Sequence, residues 1–203
     1  MRTNRTVVIL VSGKAGSGKS TVADLLEKKL KDIPSLRIYR YAFARALKYI
    51  AKSFIKWDGQ KDESGRTLLQ ELGRVGRDYN PDCWVSLFLE QMDVSVGILP
   101  FNFAIVDDWR FPNEFSYLKN NPLLDVVTIR VFGRGGLEGA TASDISENSL
   151  PEATQELLEP GTYREFEPML WYDYIIDSNV DLDSLEKKVD TILSSLEKQY
   201  IVE

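Results

Sequence analysis

Eight residues near the start, Gly13-Lys14-Ala15-Gly16-Ser17-Gly18-Lys19-Ser20, match the pattern G-x-x-x-x-G-K-[ST]. The pattern has meaning in one setting only, between a buried strand and an amphipathic helix, and both flanks are present. Val7–Val11 is a continuous apolar run rich in β-branched residues, the signature of a strand covered on both faces. After the loop, Val22, Leu25, Leu26 and Leu30 share one helical face and Pro34 marks the stop. Glycines let such a loop curl so that its N–H groups converge on phosphate oxygens. The helix that starts at its end adds a positive pole. Gly13, Lys14, Ala15, Gly16, Ser17, Gly18, Lys19, Ser20 and Thr21 are therefore expected to bind ATP. Lys19 would reach the β- and γ-phosphates, and the Ser20 hydroxyl would ligate Mg²⁺. A dinucleotide fingerprint also begins at Gly16-Ser17-Gly18, but its third glycine would fall at Thr21.

The rest of the chain alternates strand and helix signals. Leu36–Phe43 reads as a strand and Leu47–Phe54 as a helix. Asp58–Arg66 is polar and reads as a loop. Leu68–Met92 has helical periodicity with a break near Tyr79-Asn80-Pro81. Phe103–Val106, Val126–Phe132 and Tyr174–Ile176 read as strands, Glu114–Lys119 as a short helix, and Leu182–Leu196 as a closing amphipathic helix. Gly133–Gly161 carries five glycines among Ser, Thr and acidic residues and reads as an excursion from the core. Together these predict one α/β domain over residues 1–203, a three-layer P-loop NTPase fold with a parallel sheet. A helical acceptor-binding region is expected at about 38–95 and a lid at about 133–160.

Chemistry is bounded by what the chain lacks. It has no histidine and one cysteine, Cys83, so structural zinc, an intrachain disulfide and Cys/His nucleophilic dyads are excluded. The formal net charge is -6, which disfavours a long nucleic-acid partner but not a small nucleotide held by local positive charge. Arg2 and Arg5 precede an apolar run too short for a signal-peptide core, and no run reaches membrane-spanning length, so a cytoplasmic protein without a membrane partner is expected. A homodimer is compatible with the sequence.

A triphosphate site alone does not say where the phosphate goes. No N-K-x-D segment is present to read guanine. Asp62-Glu63-Ser64-Gly65 matches D-x-x-G, but its polar upstream residues do not form the strand a GTPase switch needs. A phosphoryl transferase needs a second anion site, which arginine forks suit. Arg66, Arg74, Arg77, Arg110, Arg130 and Arg134 lie near predicted element ends. The Phe103–Val106 strand ends in Asp107-Asp108, where a carboxylate beside a P-loop can hold the Mg²⁺ shell. Adjacent aspartates on extended chain point to opposite sides, so one of the two is expected to face the site.

At these residues the sequence resembles the deoxynucleoside monophosphate kinases of bacteriophage and bacterial type. Asp108-Trp109-Arg110-Phe111-Pro112-Asn113-Glu114 is similar to that family's D-V-R-F-P-N-E segment, with Trp109 for valine. Phe43-Ala44-Arg45-Ala46-Leu47-Lys48 resembles F-A-D-P-L-K, with Arg45 and Ala46 for Asp and Pro. Leu68–Gly73 with Arg77 and Trp84 resembles the acceptor region, and Ser146-Glu147 resembles a pair after the lid. The resemblance implies transfer of a phosphoryl group from ATP–Mg²⁺ to a small nucleotide acceptor. It implies Lys19, Asp108, Arg110 and Arg134 as catalytic residues. Phe43, Lys48, Arg66, Gln70, Arg77 and Arg110 would bind the acceptor, and Ser20 with Asp108, or Asp107, the metal. Two other readings stay open: a P-loop kinase of another phosphorylated metabolite, and a non-catalytic ATP-binding regulator that docks a partner through Gly133–Gly161.

Overall fold

The computed structural model of the chain describes residues 5–98, 102–133, 135, 148–150 and 172–201. Strands β1 (Thr6–Ser12), β2 (Ile38–Tyr41), β3 (Phe103–Val106), β4 (Leu124–Phe132) and β5 (Tyr174–Asp177) form one sheet in the order β2-β3-β1-β4-β5. Every pairing is parallel, with Ile9 opposite Ile105 on one side and Val127 on the other. Helices α1 (Lys19–Lys31), α2 (Ala44–Ser53), α3 (Glu63–Tyr79), α4 (Cys83–Ile98), α5 (Pro112–Lys119) and α6 (Leu182–Tyr200) complete the described elements.

Side-chain alternation along the strands sorts the core into two layers. Val7, Ile9 and Val11 of β1 pack with Ile105, Val127 and Ile129 beneath α1 and α6, against Leu26, Leu30, Leu185, Val189 and Leu196. Val8 and Leu10 point the other way, with Ala104, Val106 and Val126 beneath α4 and α5, against Val85, Phe88, Met92 and Leu118. This is a three-layer α/β fold of P-loop type. Its central strand is buried along its whole length and apolar from Val7 to Val11, as a strand covered on both faces requires. Each fully buried Val, Leu or Ile contributes about 1.5–3 kcal/mol.

Three helices start earlier than the sequence reading had them, each through a cap. Helix α3 begins inside the expected loop, because the Asp62 carboxylate accepts from the Gly65 amide at 2.7 Å. The D-x-x-G match is thus a helix N-cap. Helix α2 begins at Ala44, where the Asp108 carboxylate accepts from the Phe43 and Ala44 amides. Helix α5 begins at Pro112, and the Glu114 carboxylate reaches back to the amides of Arg110 and Phe111 at 2.9 and 3.0 Å. Most of the expected lid, with Arg134, Ser146 and Glu147, lies outside the described residues. Among the described residues no helix is long and apolar enough to cross a membrane.

Candidate active site

In a parallel sheet every strand ends on the same side, so the loops after β1 and β3, which are neighbours, open into one crevice. The loop after β1 is the P-loop. Gly13, Gly16 and Gly18 sit at positive φ (152°, 77° and 89°), and α1 starts directly behind Gly18. The Lys19 ammonium arches back across the loop to the Lys14 carbonyl at 2.5 Å. Ser17 is buried, its hydroxyl without a hydrogen-bond partner among the described residues. The root of the expected lid lies directly on this loop. Gly135, at φ 85°, approaches the backbone of Ala15–Ser17 so closely that an added Cβ would collide with the Ala15 carbonyl.

The loop after β3 separates the two aspartates as expected of extended chain. Asp107 accepts from the Ser20 hydroxyl at 3.0 Å and pairs with the Arg40 guanidinium at 2.8 Å. Burial opposes its ionisation, but Arg40 and Ser20 outweigh that and hold its carboxyl below the usual range. Asp108 turns to α2, and each of its oxygens accepts one amide, at 2.9 and 3.0 Å. Its burial outweighs those bonds and pushes its pKa up. The catalytic and metal roles expected first of Asp108 thus meet a carboxylate already engaged in capping a helix. Asp107 is the one beside Ser20. Glu114, buried beneath the same loop, is pushed up to about 8 by burial, against the two amides it accepts.

One cavity of about 370 Å³ joins these parts. Its wall carries Ala15, Gly16, Lys19 and Ser20 from the P-loop, and Asp107, Asp108 and Arg110 from the β3–α5 segment. Lys48 of α2 and Arg66, Gln70 and Arg77 of α3 line the opposite side. All the acceptor residues expected from the sequence therefore share one space with the phosphate loop. Phe43 belongs chiefly to the core. It is 3% exposed and packs edge-on against Phe88, at 5.0 Å between ring centres. Arg77 lies 4.1 Å over the Phe111 ring, and the Trp84 indole donates to the Gly73 carbonyl at 3.1 Å. That end of the cavity is flat and partly aromatic. Arg74 faces away, paired to Glu71 and Asp78. Arg130 is buried over the Tyr172 ring.

The sequence reading missed Arg40 beside Asp107 and Lys61 on the cavity wall. Arg40 is the charged residue of a four-residue strand, which is the signal that could have found it. Lys61 precedes an N-cap that was read as loop, so nothing in the sequence placed it.

No protein-family model matches the sequence, and no curated protein matches it. Solved structures align loosely over most of the chain. The APS kinase of Mycobacterium tuberculosis is 13% identical, covering 94% of this chain and 98% of its own, with a TM-score of 0.44. A gluconokinase of Sinorhizobium meliloti is 15% identical, covering 98% and 97%, with a TM-score of 0.44. Kti12 of Chaetomium thermophilum in complex with ADP-AlF3 is 16% identical, covering 92% and 97%, with a TM-score of 0.43. At such identities and scores nothing about substrate passes from those proteins to this chain.

Proposed function

We propose that this chain transfers the γ-phosphoryl group of ATP to a (deoxy)nucleoside 5′-monophosphate, giving ADP and the nucleoside diphosphate. The observation that carries the reading is the shared cavity, in which a phosphate loop faces Lys48, Arg66, Gln70, Arg77 and Arg110 across one space. Its volume of about 370 Å³ suits a small nucleotide. The flat end formed by Trp84, Phe111 and Arg77 suits a base, and the resemblance of Asp108–Glu114 to the deoxynucleoside monophosphate kinases points to the same acceptor.

The residues fit Mg²⁺. The Ser20 hydroxyl and the Asp107 carboxylate are hard oxygen donors 3.0 Å apart beside Lys19. Among the described residues no group of three or more His, Cys, Asp or Glu forms a metal cage. That suits an ion held by one or two protein oxygens together with substrate phosphates and water. When bound, Mg²⁺ supplies charge neutralisation on the phosphate oxygens.

The chain's own residues do the rest by position and charge. Lys19 lies across the loop where the β- and γ-phosphates would rest. Arg66 and Arg110 hold the acceptor phosphate so that one of its oxygens meets the γ-phosphorus in line. A P–O bond forms there as the bond to the β–γ bridging oxygen breaks, and ADP leaves with that oxygen. Gln70 and Arg77 fix the remainder of the acceptor. Arg134 is assigned to the lid by sequence and would close on the transferring group, with Gly135 against the P-loop as the root of that closure.

The test is ATP consumption against a panel of ribo- and deoxyribonucleoside monophosphates, small phosphorylated alcohols and sugar phosphates. At least one nucleoside monophosphate is expected to raise turnover a hundredfold or more above hydrolysis, on the order of what positioned acceptors supply. Turnover with phosphorylated alcohols or sugars alone would replace the substrate class. Tight ATP binding with no acceptor at all would leave the regulator.

A further inference from the structure

Lys61 stands in the cavity wall and no function has been given to it above. It comes from the turn between α2 and α3, whereas Lys48 comes from α2 and Arg66 from the first turn of α3. Three cations from three separate pieces of chain thus converge on one space. None of the three makes an ion pair with a described residue. Three cations outside this wall are matched: Arg40 holds Asp24, Glu27 and Asp107, Lys29 holds Glu186 and Asp190, and Arg74 holds Glu71 and Asp78. Asp107 and Asp108 on the same wall attract Lys61 and Lys48, but at Lys61 the neighbouring cations and burial outweigh that attraction, and an anion entering the space would relieve the repulsion. The repulsion registers on Lys61 itself, whose pKa is lowered first by Lys48, then by burial, then by Arg66.

The turn that carries Lys61 is also built to hold it. The Trp57 amide donates to the Ala51 carbonyl at 3.0 Å, and the Trp57 indole donates to the Gln60 carbonyl at 3.0 Å. The Gln60 amide in turn donates to Asp58 at 2.9 Å. The Gln60 carbonyl presses against α3 where Gly65 leaves room; a side chain there would collide with it and come within 2.8 Å of the Trp57 indole nitrogen. Gly65 is thus the seat on which the turn rests, and Lys61 follows Gln60 directly.

We propose that Lys61 is a phosphate-binding residue, which joins Lys48, Arg66 and Arg110 in a cradle for the acceptor's phosphate group. The assignment rests on the kinase reading above and refines it. Arg77 is 11 residues beyond Arg66 on α3, roughly 16 Å along the axis, and its guanidinium lies over the Phe111 ring, which assigns it to the other end of the acceptor. The acceptor therefore lies along α3, with its phosphate at the Lys48, Lys61 and Arg66 end and its uncharged end toward Phe111 and Trp84.

The experiment fills the P-loop with a saturating non-hydrolysable ATP analogue and Mg²⁺, then titrates inorganic phosphate by calorimetry. It compares the wild-type chain with Lys61→Met, Lys61→Arg, Gly65→Ala and, as a control, Arg74→Met. Lys61→Met is expected to weaken phosphate by about tenfold, the value of a lost charge-assisted contact. Lys61→Arg should stay within threefold of the wild type. Gly65→Ala should weaken phosphate although it removes no charge, and Arg74→Met should change nothing. Affinity for the ATP analogue should not move in any variant, and the ligand-free Lys61→Met protein should melt no lower than the wild type. A wild type that binds no phosphate, a loss below threefold in Lys61→Met, or equal losses in Lys61→Met and Lys61→Arg would each overturn the proposal. Phosphate binding is read without turnover. A cradle that passes this test while every nucleoside monophosphate fails as acceptor would sink the substrate reading and leave the cradle standing.

Discussion

The outer faces of the helices and the cavity wall treat charge in opposite ways. Between α1 and α6, Lys29 is held by Glu186 and Asp190, and on the exposed side of α3 Arg74 is held by Glu71 and Asp78. Such pairs tie neighbouring turns together, contribute little in high dielectric and fade with salt. Facing the cavity, the same helix α3 presents Arg66 with no carboxylate partner among the described residues, close to Lys48 and Lys61. One helix thus carries both kinds of arginine, eight residues apart. The difference separates charge that serves the fold from charge that waits for a ligand, and chain-wide acidity is no guide to either.

The sharpest break of this comparison is at Lys19. Lys19→Ala should lower phosphoryl transfer by about a hundredfold to a thousandfold, as for other lost charge contacts to a transition state. It should leave the melting temperature unchanged, because the Lys19 ammonium donates to a carbonyl at the rim of its own loop and is not part of the buried core. Turnover like the wild type, or an unfolded variant, would put Lys19 among the structural cations.

The two aspartates come next. Asp107→Asn should lower kcat by about a hundredfold and raise the Mg²⁺ concentration needed for half-maximal rate. Asp108→Asn should lower the melting temperature by several degrees, since one of two amides at the start of α2 loses its acceptor. A magnesium titration with paired melting curves distinguishes these outcomes, and an exchange of phenotypes would return the metal to Asp108. Arg77→Ala should raise the acceptor KM by about tenfold or more and leave the KM for ATP in place. Equal increases for both ligands would mean that the Arg77 end of the cavity does not hold the acceptor.

Stability against pH gives a smaller effect. The folded Glu114 carboxyl titrates near 8, against an ordinary value of 4.5. Between those values the folded chain keeps a proton that the unfolded chain has released, so stability falls as pH rises through that window and levels off above it. Glu114→Gln keeps an oxygen for the Arg110 and Phe111 amides, and should flatten the decline in melting temperature between about pH 5 and 8. The smallest change is expected at Arg74, where Arg74→Ala should move neither turnover nor melting temperature measurably. A clear loss of rate there would erase the distinction between the two faces of α3.

Much of the fold was legible because its signals are local. Val7–Val11, the glycine loop and the Val22–Leu30 stripe each declare themselves within a few residues, and the closing stripe from Leu182 does the same. Of the proposed acceptor residues, Arg66, Arg77 and Arg110 were candidates through the chemistry of an anion site, whereas Lys48 and Gln70 came only through resemblance, because their meeting depends on α2, α3 and the β3 loop coming together across long separations. Asp108's partners are amides 65 and 64 residues away, and no spacing rule reports such a bond. The N-cap at Asp62 was hidden by the polar run before it, which has the composition of a loop. Lys61 went with it, because its role depends on where Gln60 rests against Gly65. Arg134 falls outside the described residues, and its role stays an assignment from sequence.

The most direct measurement is ³¹P NMR of the protein with ATP, Mg²⁺ and the best acceptor of the panel. The account predicts that ATP and monophosphate signals fall together while ADP and a second diphosphate rise in equal amounts, with little inorganic phosphate. ADP accumulating with inorganic phosphate at a rate indifferent to the acceptor, or ATP left intact, would contradict it.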